Sequence, residues 1–326
     1  MITKLSPYYR HQMTVSAPRG PTGIAHSTPV RWMRRQINTR RALRRNPIIV
    51  HQMGKVGSQS VLRSLAAEPR ISERRSVIHT HFLTRNQLER EKRLLATSRA
   101  AYQGTPLPEI WWNPPFIWDG QIVGASVTRQ LDRRWDVITL VRDPVARNVS
   151  LFFEKLEVPI GYDWFERRQR LSDDELIADL TPLFDQHVLQ PGGLARLDVD
   201  PTRWFDLEMA PVFGIDIFAS PFSPERGWQI YEGERARLLL IRTGDLDRVG
   251  PQALEKFLGV PGIKLASGNV ADRREHASVY GLFRERLRLS SDQLEAVYGS
   301  RLVTHLFTPQ EIEAMQSRWE TVSATD

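Results

Sequence analysis

Short apolar runs alternate with longer mixed stretches along most of the chain. Four runs have the length of buried strands and are bounded by polar or turn residues, at 47–52, 76–82, 136–141 and 237–242. Continuous apolar runs of this length are typical of parallel strands that are covered on both faces. Because helical stretches separate the strands, the pattern predicts an α/β fold with a parallel sheet flanked by helices.

Helix start signals add detail to this pattern. A Ser or Thr followed three residues later by Glu or Gln predicts a capping box. The chain has four such pairs, at Thr84/Gln87, Ser172/Glu175, Ser290/Gln293 and Thr308/Glu311. The last two predict a helical C-terminal part. Residues 102–128 hold several Trp and Pro residues, and residues 190–232 are rich in Pro, Gly and aromatic residues, so we expect irregular insertions there.

The distribution of charge divides the chain. Residues 1–67 contain twelve Lys or Arg residues and no acid, whereas the rest carries 33 basic and 38 acidic residues. With 326 residues, of which 41% are apolar, the chain can bury a sizeable core. We therefore predict a basic N-terminal arm over residues 1–45, ending in a short basic helix, and one catalytic domain over residues 46–326.

The arm has several interpretations. Its densest part, residues 31–45, suits contact with anionic lipid, polysaccharide or nucleic acid, and a solvated leader or an organelle transit peptide has a similar composition. We expect no specific nucleic-acid partner. No apolar run approaches the roughly 20 residues that span a bilayer. We expect a cytoplasmic protein, with a peripheral contact to an anionic membrane surface through residues 31–45 as one option.

The absence of cysteine also restricts the chemistry. It excludes disulfides, thiolate metal sites and a Cys nucleophile. Any catalytic site in this chain must therefore be built from other side chains and from the backbone.

A first candidate site lies between the first strand and the following helix, in the sequence QMGKVGSQS of residues 52–60. Glycines let the backbone turn and direct N–H groups toward an anion, and the helix N-terminus adds partial positive charge. Lys55 adds a full charge, and Ser58 and Ser60 add hydroxyl donors. The order differs from that of a Walker A loop, because Lys55 precedes Gly57. The alternative is an ordinary strand–helix turn.

A second candidate site follows the third strand, in the sequence VRDPVARNVS of residues 141–150. Arg142 is placed at the carboxyl end of a buried strand, where α/β sheets bind ligands, and Ser150 follows about two helical turns later. An Arg fork and a hydroxyl suit a phosphate group. The alternative is a structural ion pair between Arg142 and a carboxylate such as Asp143.

Together, the two motifs resemble those of the sulfotransferase superfamily, which uses 3'-phosphoadenosine 5'-phosphosulfate (PAPS) and has a P-loop-like parallel sheet flanked by helices. The resemblance implies that the first motif binds the 5'-phosphosulfate and the second the 3'-phosphate, with no metal. The residues implied at the 5' end are Lys55, Val56, Gly57, Ser58, Gln59 and Ser60. Those implied at the 3'-phosphate are Arg142 and Ser150.

Further segments resemble a bacterial branch of capsular polysaccharide synthesis proteins. These segments are WFDxE at 204–208, FGID at 213–216, LLIRxxDL at 239–246 and NVADRR at 269–274. The last resembles an N-x-G-x-x-K pattern, with Ala271 in place of the glycine and Arg274 in place of the lysine. The resemblance covers about residues 47–320 and implies that Arg274 contacts the nucleotide.

Two histidines are candidates for a general base. His79 and His81 alternate along the second strand and so point to one side of it. A side chain with a pKa near 6.5 suits general-base catalysis. His81 fits the T-H-L pattern of the resembled family better, and Glu154 is a further candidate. Alternatively, the two histidines belong to the core or bind a metal.

These residues predict transfer of a sulfuryl group from PAPS to a hydroxyl of a glycan-like acceptor, with His81 as base and Lys55 stabilising negative charge. Trp111, Trp112 and Trp118 either line the acceptor cleft or anchor the core. Three alternatives remain: a magnesium-dependent P-loop enzyme of the kinase type, a non-catalytic binding protein for polysaccharide or nucleic acid, and a glycosyltransferase of capsule assembly.

Overall fold

One five-stranded sheet forms the centre of the molecule. The computed structural model describes residues 28–101, 115–156, 160–190, 192–193, 198–266 and 277–320. The strands are β1 Ile48–His51, β2 Val77–Thr80, β3 Trp135–Val141, β4 Trp228–Glu232 and β5 Ala236–Arg242. Their order in the sheet is β2–β1–β3–β5–β4. Four strands run parallel, and β4 pairs antiparallel with β5 at one edge. The prediction of an α/β fold with a parallel sheet flanked by helices is therefore confirmed, apart from the antiparallel edge strand β4.

The α-helices fall into a group around the sheet and a group near the C-terminus. The first group is α1 Thr28–Arg44, α2 Ser58–Ala67, α3 Pro69–Ser72, α4 Arg85–Ala101, α5 Pro115–Arg129, α6 Pro144–Lys155, α7 Trp164–Arg170, α8 Asp173–Phe184, α9 Ala210–Phe213 and α10 Leu246–Leu258. The second group is α11 Ala277–Arg286, α12 Ser291–Tyr298, α13 Arg301–Leu306 and α14 Pro309–Trp319. Single π turns occur at Asp185–Leu189 and Phe205–Met209.

The strand order creates a crevice at one edge of the sheet. The chain passes from β1 to β2 on one side and then to β3 on the other, so β1 lies between them. In open α/β sheets the loops that leave such a pair of strands diverge, and ligands bind between them. The loop after β1 and the residues after β3 meet at this crevice, and these are the two segments that the sequence singles out.

Two buried cores support this edge. The larger one packs around the sheet, and its centre includes Ile49, Val137 and Leu239. The second core is helical and joins α6, α8 and α11, with Phe152 and Phe283 stacked at 5.9 Å between ring centroids. Because α6 begins directly after β3, the second core fixes the direction in which the chain leaves the sheet.

Three of the four predicted capping boxes form, and one does not. The serine and threonine caps at 172, 290 and 308 make both reciprocal hydrogen bonds. At α4, by contrast, the Thr84 backbone N–H, which the Gln87 side chain would accept in a capping box, donates to Glu208 at 3.2 Å, and the buried Oε1 of Gln87 has no hydrogen-bond partner in the described part. A carboxylate 124 residues away in sequence outcompetes the local cap, so the prediction at Thr84/Gln87 is wrong.

Two regions expected to be irregular contain regular elements. Part of the predicted loop at 102–128 is helix α5, and Trp118 is buried on it. The region 190–232 contains the edge strand β4. Only Trp228 and Tyr231 of its five residues are buried, so its apolar pattern is weaker than that of the central strands. Trp111 and Trp112 lie outside the described residues.

Helix α1 belongs to the segment that the sequence predicts as a basic arm, and it packs on α5. The Thr39 hydroxyl donates to Asp119 at 2.7 Å, and Arg35 forms an ion pair with the same carboxylate. Leu43 is buried in the larger core, and Arg133 donates to its carbonyl at 2.7 Å. No helix in the described ranges is long and apolar enough to cross a membrane.

Candidate functional site

The loop between β1 and α2 has the backbone conformation of a tight anion-binding turn. Lys55 has a φ of 69° and Gly57 a φ of 85°, both in the left-handed region. Lys55 is therefore one of the few non-glycine residues held there, which is a conformation that surrounding contacts must impose. At Gly57, an added Cβ would lie 3.2 Å from Thr243, so glycine also satisfies a close approach.

Three side chains impose this conformation by binding three consecutive loop carbonyls. Arg147 donates to the Gly54 carbonyl at 3.0 Å, Arg142 to the Lys55 carbonyl at 3.1 Å and Thr243 to the Val56 carbonyl at 2.7 Å. In a trans peptide the N–H points opposite to the C=O. The N–H groups of Lys55, Val56 and Gly57 are therefore directed away from these three donors.

Two of the three N–H groups on the other side of the loop have no acceptor among the described residues. Those of Val56 and Gly57 make no hydrogen bond to any described residue. Helix α2 begins at Ser58 without a side-chain cap, because its N-cap residue is Gly57. The first-turn N–H groups of a helix have no intrahelical acceptor. The loop and the helix end together present a run of donors and partial positive charge, which is the arrangement that binds phosphate and sulfate.

Arg142 adds a full positive charge at the same edge. Its guanidinium is half-buried and donates to the loop backbone, and no carboxylate among the described residues forms an ion pair with it. Asp143 does not fill that role. Its Oδ1 accepts from Val145 N and from the Tyr298 hydroxyl, both at 2.9 Å, and so caps α6 instead. No described carboxylate therefore neutralises the charge of Arg142.

The other predicted contact residues lie around this loop. Lys55 forms an ion pair with Glu154 on α6. Ser58 is buried at the start of α2, whereas Gln59 is exposed and Ser60 is half-buried. Ser150 is half-buried on α6, two turns after Arg142. Arg274 lies outside the described residues.

His79 and His81 lie on and just after β2, with ring centroids 4.6 Å apart. The Nδ1 of His81 lies 2.9 Å from the Gln52 carbonyl, which only accepts hydrogen bonds. Nδ1 therefore carries the proton, and Nε2 is the basic nitrogen when the ring is neutral. Burial lowers the pKa of His81, although the Gln52 carbonyl and the charges of Asp198 and Glu154 act in the opposite direction. The ring is therefore neutral near pH 7.

His79 is kept neutral even more strongly. Burial, with a contribution from the neighbouring His81 and His51, lowers its pKa to about 3. Its Nε2 is buried and makes no hydrogen bond within the described ranges. His79 thus has fewer polar contacts than His81, although the two alternate on the same side of the strand as the sequence predicts.

This lowered pKa has a consequence for stability. An unfolded histidine binds a proton below about pH 6.5 and folded His79 does not, so stability is full above that pH and decreases as the pH falls toward 3. At pH 5 the protonation of unfolded His79 has lowered the free energy of unfolding by roughly 2 kcal/mol. We expect His79→Leu to lose less stability than the wild type between pH 7 and pH 5 in urea denaturation. Equal losses in the two proteins would contradict the assignment.

Several residues that hold the site together were not identified from sequence. Arg147 is fully buried and forms an ion pair with Asp198. Next to this pair, burial and the charge of Asp198 raise the pKa of Glu91 to about 7. The R-D-P-x-x-R spacing contains Arg147, but its partner is 51 residues away and carries no local signal.

A second buried carboxylate fixes the segment after β2. Glu208 is fully buried and accepts hydrogen bonds from Leu83 N at 2.7 Å and from the Thr84 hydroxyl at 2.6 Å. Its Oε2 also lies 3.4 Å from Nε2 of His51. Glu208 occurs in one of the segments that resemble the capsular branch, and here it positions the turn that follows His81.

The side-chain amide of Gln52, near the loop, is a further polar group without a hydrogen bond to a described residue. Gln52 is 1% exposed, and neither its side-chain oxygen nor its side-chain nitrogen makes a hydrogen bond in the part of the chain that the structure describes. The described residues contain no group of three or more His, Cys, Asp or Glu side chains placed to hold a metal.

Comparison with known proteins bears on the residues that the C-terminal half of the chain contributes to the site. No curated protein and no solved structure matches the chain. The two loop motifs, at 52–60 and 141–150, precede residues 196–308, which match a family model. That stretch supplies Asp198, Glu208 and Thr243, which contact the loop or its neighbours. Residues 196–308 match the family model described as "Putative capsular polysaccharide synthesis protein", which supports the resemblance to the capsular branch.

Proposed function

We propose that this chain transfers a sulfuryl group from PAPS to a hydroxyl of a glycan-like acceptor, on a sulfotransferase-type P-loop fold. The observation that supports the proposal most is the loop at 54–57. Its carbonyls are bound by Arg142, Arg147 and Thr243, while the N–H groups of Val56 and Gly57 make no hydrogen bond to a described residue and α2 begins without a side-chain cap. Unpaired donors of this kind fit a doubly charged anion.

In this proposal, the two anionic ends of PAPS bind in two parts of the crevice. The 5'-phosphosulfate would bind the loop N–H groups and Lys55, whose partner Glu154 would then be displaced or shared. The 3'-phosphate would bind Arg142, which has no carboxylate partner among the described residues, and the Ser150 hydroxyl. Arg142 also holds the loop carbonyl of Lys55, so it would link the two halves of the nucleotide site.

The chemical step would be an in-line displacement at sulfur. The acceptor oxygen forms a bond to sulfur while the bond between sulfur and the bridging phosphate oxygen breaks, and 3'-phosphoadenosine 5'-phosphate (PAP) leaves. The proton of the acceptor hydroxyl passes to Nε2 of His81, which is basic because Nδ1 donates to the Gln52 carbonyl. Lys55 and the loop N–H groups stabilise the negative charge on the leaving oxygen.

The kinase-type alternative fits this crevice less well. A P-loop kinase holds magnesium through a loop Ser or Thr and a strand-end acid. The acid that follows β3 is Asp143, and its carboxylate already accepts from Val145 N and from the Tyr298 and Trp319 side chains. A metal would have to displace these contacts and uncap α6.

The direct test is a transfer assay with PAPS labelled in its sulfuryl group, without magnesium, on a panel of polysaccharides and lipid-linked oligosaccharides with free hydroxyls. We expect label to appear in a carbohydrate fraction together with an equal amount of PAP. Magnesium-dependent phosphate transfer from ATP, or glycosyl transfer from a nucleotide sugar with no use of PAPS, would overturn the proposal.

A further inference from the structure

Helix α1 carries a surface that the proposed reaction does not use. The described residues include four exposed large hydrophobic side chains, and three of them lie on this helix: Trp32 at 42%, Met33 at 56% and Ile37 at 42% exposure. Large apolar side chains scattered singly on a surface need no explanation, but a cluster of them marks an interaction site.

The helix is also strongly and uniformly basic. Residues 28–44 contain no acidic residue. Arg35 is paired with Asp119, whereas Arg34, Arg40, Arg41 and Arg44 are exposed and form no ion pair with a described residue. The surface therefore combines unpaired positive charge with exposed apolar side chains on a helix of 17 residues.

The spacing arranges these side chains in two adjacent ridges. Residues four apart lie on one side of a helix, so Trp32, Gln36 and Arg40 form one ridge. Met33, Ile37 and Arg41 form the next, and Arg44 lies at the end of the first. Thr39 and Leu43, which lie beside the first ridge around the helix, pack into the body. The second ridge therefore points to solvent, and the first lies at the border between solvent and the body.

The first ridge borders a cleft against α5. This cleft has a volume of about 270 Å³ and is also lined by Gln121, Ser126 and Arg129. None of its lining residues is acidic. Arg40 and Arg129 supply charge, and the amide and hydroxyl groups supply hydrogen-bond donors, which suits an anionic phosphate group.

We propose that this face of α1, formed by Trp32, Met33, Ile37, Arg34, Arg40, Arg41 and Arg44, binds the surface of an anionic phospholipid bilayer. A helix with apolar and aromatic side chains flanked by arginines lies in the plane of the interface, with the arginines at the headgroups. A flat bilayer accommodates both ridges at once. A soluble polyanion would use the arginines but would leave Met33 and Ile37 exposed to water.

The test uses the full chain and vesicle sedimentation with two lipid compositions, phosphatidylcholine alone and phosphatidylcholine with phosphatidylglycerol. We expect binding to the anionic vesicles that is at least tenfold tighter than to the neutral ones and that weakens as salt is raised. Met33→Ser/Ile37→Ser and Arg40→Gln/Arg41→Gln are each expected to weaken it about tenfold or more. Arg74→Gln/Arg203→Gln removes two exposed arginines elsewhere and should bind like the wild type.

Two results would overturn the proposal. One is the absence of binding to anionic vesicles at low salt by wild-type protein that is folded by circular dichroism. The other is unchanged vesicle binding by Met33→Ser/Ile37→Ser together with equally tight binding of soluble dextran sulfate, which would identify a polyanion site and not a membrane face. Because the altered side chains are solvent-exposed, the variants should keep the wild-type melting temperature. PAP binding by the variants reports separately on the nucleotide site.

Discussion

Replacing His81 with alanine is expected to lower kcat for sulfuryl transfer by about 10²- to 10⁴-fold, the range that a positioned general base contributes. The imidazole is neutral near pH 7 because burial lowers its pKa, and its Nδ1 is held by the Gln52 carbonyl. Loss of the ring removes the only proton acceptor that the proposed step uses. The affinity for PAP should change little, since no nucleotide contact is assigned to His81.

His79→Ala is the matched control for this variant. Its ring lies 4.6 Å from that of His81 on the same side of β2, but it lacks the bond to Gln52. We expect its kcat to stay within a few-fold of wild type. A large loss in His79→Ala with little loss in His81→Ala would transfer the role of base to His79. Lost PAP affinity with preserved kcat in His81→Ala would reject His81 as base.

The pH dependence of kcat tests the role of His81 as base independently. A base must be unprotonated, and burial lowers the pKa of His81 below the ordinary histidine value of about 6.5. The acidic limb of kcat should therefore lie below pH 6.5, and activity should be flat from there to neutral pH. This limb should be absent from the residual activity of His81→Ala.

Asp198→Ala is expected to destabilise the folded protein by about 3–5 kcal/mol, because it leaves Arg147 buried without its counter-charge. Arg147 also donates to the Gly54 carbonyl, so the loop should lose part of its fixed geometry and bind PAP more weakly. The free energy of unfolding is measured by urea denaturation of the protein without ligand, followed by tryptophan fluorescence.

Glu232→Ala supplies the comparison for Asp198→Ala. Glu232 forms an ion pair with Arg134 in which both side chains are at least half exposed, and exposed pairs contribute about 1 kcal/mol or less. A loss in Asp198→Ala no larger than that in Glu232→Ala would show that the Arg147 pair does not hold the loop. Glu91, whose pKa Asp198 helps to raise, can ionise more easily in Asp198→Ala and offset part of the loss.

Much of the fold could be read from the sequence because its signals are local. The strands at 48–51, 77–80, 135–141 and 236–242 are short segments with a high share of apolar residues, and three caps depend on residues three positions apart. The edge strand β4 was missed because it is only partly buried. Helix α5 was missed because its start is close to several tryptophans and prolines, which dominate the local composition.

The site could be located from sequence, but the contacts that fix it could not. The loop at 52–60 and Arg142 were singled out because Gly, Lys and Arg residues at strand ends carry a local signal. Asp198, Glu208 and Thr243 contact that region from 51 to 187 residues away. Tertiary folding alone brings these residues together, and the failed cap at Thr84 has the same cause, since Glu208 accepts the hydrogen bond from its backbone N–H.

The central claim, that the crevice between β1 and β3 binds a PAPS-type nucleotide, is tested most directly by calorimetric titration of PAP without magnesium. We expect micromolar or tighter binding by the wild type, at least tenfold weaker binding by Arg142→Ala, equivalent to about 1.4 kcal/mol, and wild-type affinity for Arg74→Ala. No binding of PAP by the wild type, with ATP–Mg²⁺ or a nucleotide sugar bound in its place, would contradict the claim.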